Sequence, residues 1–200
     1  MRMEFTIVIL SGGKSSRMGQ NKAFLQLGSH TEIEYLTTLA KSVTDKVMIV
    51  TNDFDAYKHL NVLLVEDIRK GLGPLAGLEA ALEATTTELN FVMACDMPFI
   101  NMNIMKAILS ATVNVDAVIP RIEGQRHPLF AAYRKSSLPL LKETLDDGHT
   151  KIMHYIDKMT IKWLAESDLV DYDNTAFFNM NNPAEFEEAK RIYKIKTLDV

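Results

Sequence analysis

Phe5-Thr6-Ile7-Val8-Ile9-Leu10 runs without a break into Ser11-Gly12-Gly13-Lys14-Ser15-Ser16-Arg17-Met18-Gly19-Gln20-Asn21-Lys22. The first six residues are continuously apolar and β-branched rather than alternating. Such a run predicts a strand covered on both faces, as inside a parallel sheet. The residues after it have a different chemistry. Gly12 and Gly13 let the backbone turn tightly and bring N–H groups close to an anion. Ser15 and Ser16 add hydroxyl donors. Arg17 can fork onto phosphate oxygens, and Lys22 supplies a movable point charge. Open α/β sheets bind ligands at the carboxyl ends of their strands, where this loop begins. The stretch therefore predicts a grip on a triphosphate whose pyrophosphate will leave. A solvated polar turn is the weaker reading. The loop is not a Walker A motif, because Gly19 is followed by Gln20 and Asn21 and Lys22 comes late.

Working outward, the same pattern repeats. Lys46 to Thr51, Val62 to Val65, Phe91 to Cys95 and Ala117 to Pro120 are further short apolar runs. Helical patterns lie between them at Glu32 to Val43, Ala76 to Ala84 and Asn103 to Ala111. A β-α-β-α order implies a mostly parallel sheet with helices on both faces. Beyond Pro120 the pattern loosens. Leu129 to Tyr133 reads as a strand, Ser136 to Leu145 and Lys151 to Ile156 as helices, and Thr160 to Leu164 as a strand. Phe177 to Pro183 reads as a strand end and turn, with Pro183 opening a last helix through about Tyr193. One domain over residues 1–200 is expected, with its first half holding the nucleotide.

Bulk properties narrow the function classes. The 200 residues carry a net charge of −4, which gives no reason to expect a nucleic-acid or acidic-membrane partner. An anionic ligand must then be held by local positive groups. Cys95 is the single cysteine, so no internal disulfide can form and a reducing, cytoplasmic setting is expected. No apolar stretch approaches a membrane span.

Two further motifs carry chemistry. Gly71-Leu72-Gly73-Pro74-Leu75-Ala76-Gly77 follows the acidic pair Glu66-Asp67. Pro74 suits the first turn of a helix, and Gly77 allows close approach of a base or a neighbouring strand. A plain loop-to-helix junction is an equal reading. Asp96, in Ala94-Cys95-Asp96-Met97-Pro98-Phe99, caps a strand at the edge where the first loop sits. A carboxylate there can hold Mg²⁺ against triphosphate oxygens, although helix capping is the commoner task for aspartate. Cys95 reads as a small buried residue rather than a nucleophile. Arg126 could reach a second anionic substrate. Asn179 and Asn181 place two amides on one side of a strand end. Both clusters also read as ordinary turns. His30, His59, His149 and His154 show no metal-ligand spacing.

Together these motifs resemble the molybdenum cofactor guanylyltransferase family, the MobA proteins, over nearly the whole chain. Leu10 to Lys22 matches the family's opening motif, with Ser11 where alanine is usual. Gly73 to Gly77, Cys95 to Phe99, Arg126 to Tyr133 and Phe177 to Pro183 match its later motifs. The resemblance implies a three-layer, Rossmann-like nucleotidyltransferase fold. It implies that Leu10, Ser11 and Gly12, with Gly13 and Gly77, line the guanine side, and that Lys22 and Asp67 are further GTP contacts. It implies Asp96 as nucleotide and Mg²⁺ ligand, Arg17, Lys22 and Asp96 as the catalytic groups, and Arg126, Asn179 and Asn181 on the molybdopterin side. Residues 1–120 would form mainly the GTP and Mg²⁺ half and residues 121–200 the molybdopterin half. The implied reaction joins the terminal phosphate of molybdopterin to the α-phosphate of GTP. A monomer is expected, in transient contact with cofactor-biosynthesis proteins or acceptor molybdoenzymes. A sister enzyme using CTP or building a nucleotide sugar is the nearest rival. An oxidoreductase binding a dinucleotide through Gly71 to Gly77 leaves the first loop unexplained, and a non-catalytic nucleotide-binding scaffold is a third reading.

Overall fold

A computed structural model describes residues 4–12 and 21–198. Strand β1 (Phe5–Leu10) comes first. A 3-10 turn at Lys22–Phe24 leads into a small hairpin, β2 (Gln26–Leu27) and β3 (His30–Thr31), and then α1 (Glu32–Lys41). The alternation continues with β4 (Val47–Val50), α2 (Phe54–Tyr57), β5 (Leu63–Val65) and α3 (Pro74–Ala84). Next come β6 (Leu89–Ala94), α4 (Met102–Ser110), β7 (Ala117–Ile122), β8 (Gln125–Arg126) and β9 (Phe130–Arg134). Helices α5 (Leu138–Asp146) and α6 (Ile152–Ile156), strand β10 (Ile161–Leu164) and helix α7 (Pro183–Leu198) complete the described chain.

The main sheet has the order β10-β7-β9-β6-β1-β4-β5, with β8 pairing to β7. Strands β6, β1, β4 and β5 are mutually parallel, as the run of short apolar segments predicts. Strand β9 runs antiparallel to both β6 and β7, which leaves β7 parallel to β6. The carboxyl ends of β5, β4, β1, β6 and β7 therefore lie along one edge. Residues Ser11, Thr51 and Cys95 prolong that edge, donating backbone N–H bonds to Val50, Val65 and Leu10.

Strand β1 shows why its run is continuous. Ile7 and Ile9 pack into one core with Ile33, Leu36, Phe91, Ile104 and Ile108. Val8 and Leu10 pack into the other with Leu75, Leu78, Val92 and Leu141. Alternate side chains point to opposite faces, so a strand covered on both faces needs apolar residues throughout. Full burial of each such side chain contributes ~1.5–3 kcal/mol. Helices α1 and α4 cover the first face, and α3 and α5 the second. A smaller cluster of Leu27, Met180 and Ala189, flanked by Phe99, Phe178 and Tyr193, seats α7 against the β2–β3 hairpin.

Two expectations are corrected. Phe177 through Asn182 forms no strand. Its Met180 N–H bonds the Asp96 carbonyl, just beyond β6, at 2.9 Å, and the segment is anchored by the buried Phe177 and Met180. The last helix continues past Tyr193 to Leu198, since no glycine or proline interrupts it. Among the described residues no helix is long and apolar enough to cross a membrane.

Candidate active site

The site grows from the carboxyl edge of β1 and β6. Asp96 lies two residues beyond β6, and Lys22 opens the 3-10 turn that precedes the hairpin. The Lys22 Nζ stands 3.2 Å from Asp96 Oδ2 and 3.2 Å from Asn181 Oδ1. Side-chain exposure is 17% for Lys22 and 20% for Asp96, so this ion pair is largely withdrawn from water yet still open to a ligand. A carboxylate, an amide oxygen and an ammonium from three distant parts of the chain thus meet at one point. Asn181 is delivered there by the Met180 bond to Asp96 and by Glu185 Oε2, which accepts the Asn181 N–H.

Tyr57 holds the two ends of the first loop. Its ring is buried at the end of α2 and packs on Phe24 with centroids 5.0 Å apart. Its hydroxyl bonds to Ser11 Oγ at 2.7 Å and accepts from Asn21 Nδ2 at 3.0 Å. Asn21 Oδ1 in turn accepts from Ala23 N–H at 3.1 Å and caps the turn that begins at Lys22. Ser11, where the resemblance expects alanine, therefore has a use for its hydroxyl. The Ser11 N–H is already bonded to the Val50 carbonyl and its hydroxyl to Tyr57.

On the other side of β1 lies a tight junction. A methyl group placed on Gly77 would stand 3.4 Å from Asp67 Oδ1 and 3.4 Å from Leu10 Cδ2. One placed on Gly12 would stand 3.8 Å from Asp67 Oδ2. Leu10, Gly12, Gly77 and Asp67 are thus neighbours. Asn52 fixes the aspartate: its Nδ2 donates to Asp67 Oδ2 at 2.9 Å, and the Asp67 N–H returns to Asn52 Oδ1 at 3.3 Å. The following loop is pinned by Arg69, whose Nε reaches both oxygens of the buried Glu79 at 3.3 and 3.1 Å. A second arm of Arg69 meets Asp146 of α5 at 2.6 Å. The loop ends at Gly73, where φ is +75°, a conformation that favours glycine. Pro74 then starts α3 at its first turn and offers no N–H there, which weakens any dinucleotide-binding reading of Gly71 to Gly77.

Behind Asp96 sits an unexpected acid. Glu32, at the start of α1, is 1% exposed, and its Oε1 has no hydrogen-bond partner among the described residues. Burial pushes its carboxyl up to about 8, and the negative charge of Asp96 pushes in the same direction. Burial also pushes the Cys95 thiol up to about 12, which agrees with an inert packing role.

The remaining expected residues fall differently. Gly13 and Arg17 lie outside the described residues. Arg126 shares the carboxyl edge but belongs to the β7–β8 ribbon, where it pairs with Asp157 at 3.3 Å and lies over the Trp163 ring at 5.1 Å. No contact joins it to the Lys22 cluster among the described residues. Asn179 turns back on its own segment and donates to the Phe177 carbonyl at 3.4 Å. Tyr57, Asn52 and Glu32 were not singled out from sequence. Asn52 follows a parallel strand at the ligand edge, which was a usable signal. Glu32 falls on the buried stripe of α1 with Leu36 and Ala40, at helical spacing, which was another.

The oxygen donors present fit a hard divalent cation. Asp96 and Asn181 already place two oxygens around the positive Lys22 head. Among the described residues no group of three or more His, Cys, Asp or Glu side chains converges. Magnesium commonly takes one or two carboxylates and completes its shell with phosphates and water, so a sparse acidic site suits it.

Comparison with known proteins agrees with this geometry. The family described as MobA-like NTP transferase domain matches residues 7–161. A probable molybdenum cofactor guanylyltransferase of Carboxydothermus hydrogenoformans is 35% identical over 96% of this chain and 98% of its own length. The molybdenum cofactor guanylyltransferase of Desulfosudis oleivorans is 33% identical over 94% of this chain and 96% of its own. The crystal structure of molybdopterin-guanine dinucleotide biosynthesis protein A from Archaeoglobus fulgidus superposes with a TM-score of 0.83. That pair is 25% identical, with 95% of this chain and 99% of that one covered. Strand β1 with the motif after it, the Gly12–Asp67–Gly77 junction and these full-length similarities lead to one conclusion: the chain belongs to the molybdenum cofactor guanylyltransferase family, within the MobA-like NTP transferases.

Proposed function

We propose that this protein transfers GMP from GTP to the terminal phosphate of molybdopterin, releasing pyrophosphate and forming molybdopterin guanine dinucleotide. The observation that carries this reading is the meeting of Lys22, Asp96 and Asn181 at the carboxyl edge of β1 and β6. In the reaction a phosphate oxygen of the acceptor attacks the α-phosphorus of GTP. A new P–O–P bridge forms, and the bond from the α-phosphorus to the bridging oxygen of pyrophosphate breaks. The nucleophile is already an anion, so no strong general base is needed. The protein's task is positioning and charge neutralisation. That fits a site with cations, amides and one metal-binding carboxylate but no nucleophile–base pair.

Lys22 neutralises triphosphate charge, together with Arg17. Asp96, with Asn181 beside it, would hold Mg²⁺, which when bound supplies Lewis-acid stabilisation of the phosphate oxygens. Leu10, Ser11, Gly12, Gly13 and Gly77 line the base. The Asp67 carboxylate, an acceptor only, can take both the N1–H and 2-amino donors of guanine, whereas cytosine offers it one amino donor beside two acceptors. Arg126 and Asn179 remain on the acceptor side. Residues 1–120 and 121–200 act as one unit, a monomer in the cytoplasm with transient contacts to cofactor-biosynthesis proteins or acceptor molybdoenzymes.

Calorimetric titration of GTP with Mg²⁺ into Lys22→Ala tests the assignment. The expected loss of affinity is about tenfold or more, for one charge-assisted phosphate contact. Unchanged affinity would remove Lys22 from the site.

A further inference from the structure

Tyr57 touches none of the expected substrate groups, yet its hydroxyl lies where three segments of the site meet. It bonds Ser11, the residue after β1 and before Gly12. It bonds Asn21, the cap of the turn that carries Lys22. Thr51, just beyond β4 and next to Asn52, also acts on the hydroxyl, weakly offsetting the effect of burial on the phenol. One oxygen therefore links the Gly12 and Asp67 side of the site to the Lys22 and Asp96 side. The ring is fully buried, and Phe24 of the same Lys22 turn packs on it. Burial raises the phenol above its ordinary value, so it stays a neutral donor and acceptor.

A buried hydroxyl with several partners has few alternative arrangements. Asn21 Nδ2 donates, so the tyrosine oxygen accepts there and keeps its own proton for a second partner. Removing that oxygen takes from the buried Ser11 hydroxyl its 2.7 Å partner and frees the Asn21 Nδ2 to turn toward solvent. The turn bearing Lys22 then loses its tie to β1, while the ring still fills its hole.

We propose that Tyr57 is a positioning residue for the nucleotide: its hydroxyl sets the spacing between the phosphate-binding Lys22 and the base-binding Gly12–Asp67 junction. This deepens the proposed function and rests on it. Asn21 is the second member of the device and Ser11 the third.

The test compares wild type, Tyr57→Phe, Ser11→Ala and Asn21→Ala. GTP affinity is measured by calorimetry, and KM and kcat from pyrophosphate release, all well below the melting temperature. Ile104→Val, a core change on α4 that touches none of the hydroxyl's partners by hydrogen bond, serves as a control for lost stability alone. Tyr57→Phe is expected to weaken GTP binding about five- to twentyfold and to raise KM by a similar factor. Ser11→Ala is expected to produce a smaller loss, and adding Asn21→Ala to Tyr57→Phe little further loss, because the two act through one bond. Ile104→Val is expected to lower the melting temperature with KM unchanged.

If wild type binds GTP and Tyr57→Phe binds it equally well, the positioning role is overturned and the guanylyltransferase reading stands. If wild type itself does not bind GTP, both fall. If Tyr57→Phe folds poorly, Ser11→Ala decides: a raised KM supports the proposal, and an unchanged one overturns it.

Discussion

Replacing Glu32 with Gln should change how stability responds to pH. In the folded chain the Glu32 carboxyl is pushed up to about 8, against an ordinary value of 4.5, because it is buried and faces the charge of Asp96. Between those two values the folded state holds one proton more than the unfolded state. Raising the pH therefore favours unfolding. The contribution is fully favourable below about pH 4.5, is lost progressively up to about pH 8, and changes no further above it. The slope is about 1.4 kcal/mol per pH unit, and the whole span amounts to about 5 kcal/mol. Glutamine has no such proton to lose. Its amide brings two N–H donors to a place where Oε1 already lacks a partner, at a cost of about 1–3 kcal/mol each if unmet. That cost does not vary with pH, so the slope is the informative quantity. Urea unfolding of both proteins at pH 5.5, 6.5, 7.5 and 8.5, with m-values checked for equality, gives the difference curve. Wild type should lose about 3 kcal/mol relative to Glu32→Gln between pH 5.5 and 8. Parallel curves would show that Glu32 is ionised in the folded protein, and the argument from burial would be wrong.

Asp96→Asn should abolish Mg²⁺-dependent pyrophosphate release while leaving far-ultraviolet circular dichroism unchanged; full activity would refute its metal role. Gly77→Ala puts a methyl 3.4 Å from both Asp67 and Leu10 within α3. It should raise helix stability by up to about 1 kcal/mol while weakening GTP binding, and tighter GTP binding would contradict the placement of the base there. Arg69→Met leaves Glu79 buried without its cation and should lower the urea midpoint. Adding Glu79→Met should restore part of it, and a double variant no better than the single would count against the clamp.

The sequence made the sheet legible because its strands are buried on both faces. A run such as Phe5 to Leu10 can be little else when a glycine-rich loop follows it. Pro74 marked the start of α3 for a local reason, its fixed φ and missing N–H. The Phe177 to Pro183 segment reads in sequence as a strand end and turn, because apolar residues followed by a turn look the same whether or not a neighbouring strand pairs with them. Its real constraints are distant: Asp96 for the Met180 N–H and Lys22 for the Asn181 amide. Motif matching found Lys22, Asp67, Asp96 and Asn181 because they carry charge or amides near glycine or proline. It passed over Tyr57, whose partners lie 46 and 36 residues away. It passed over Glu32 because a glutamate in an amphipathic helix is ordinarily solvated, and only the register of α1 turns this one inward. Arg126 had the right edge of the sheet but sits on a ribbon, paired with Asp157.

The central claim is that the site at Lys22, Asp96 and Asp67 moves GMP and not another nucleotide. It is tested most directly by incubating the protein with molybdopterin, Mg²⁺ and either GTP or CTP, and following pyrophosphate and the mass of the pterin product. The account predicts a guanine dinucleotide product from GTP and little or no transfer from CTP. A cytosine dinucleotide formed as fast or faster, or pyrophosphate released from neither, would contradict it.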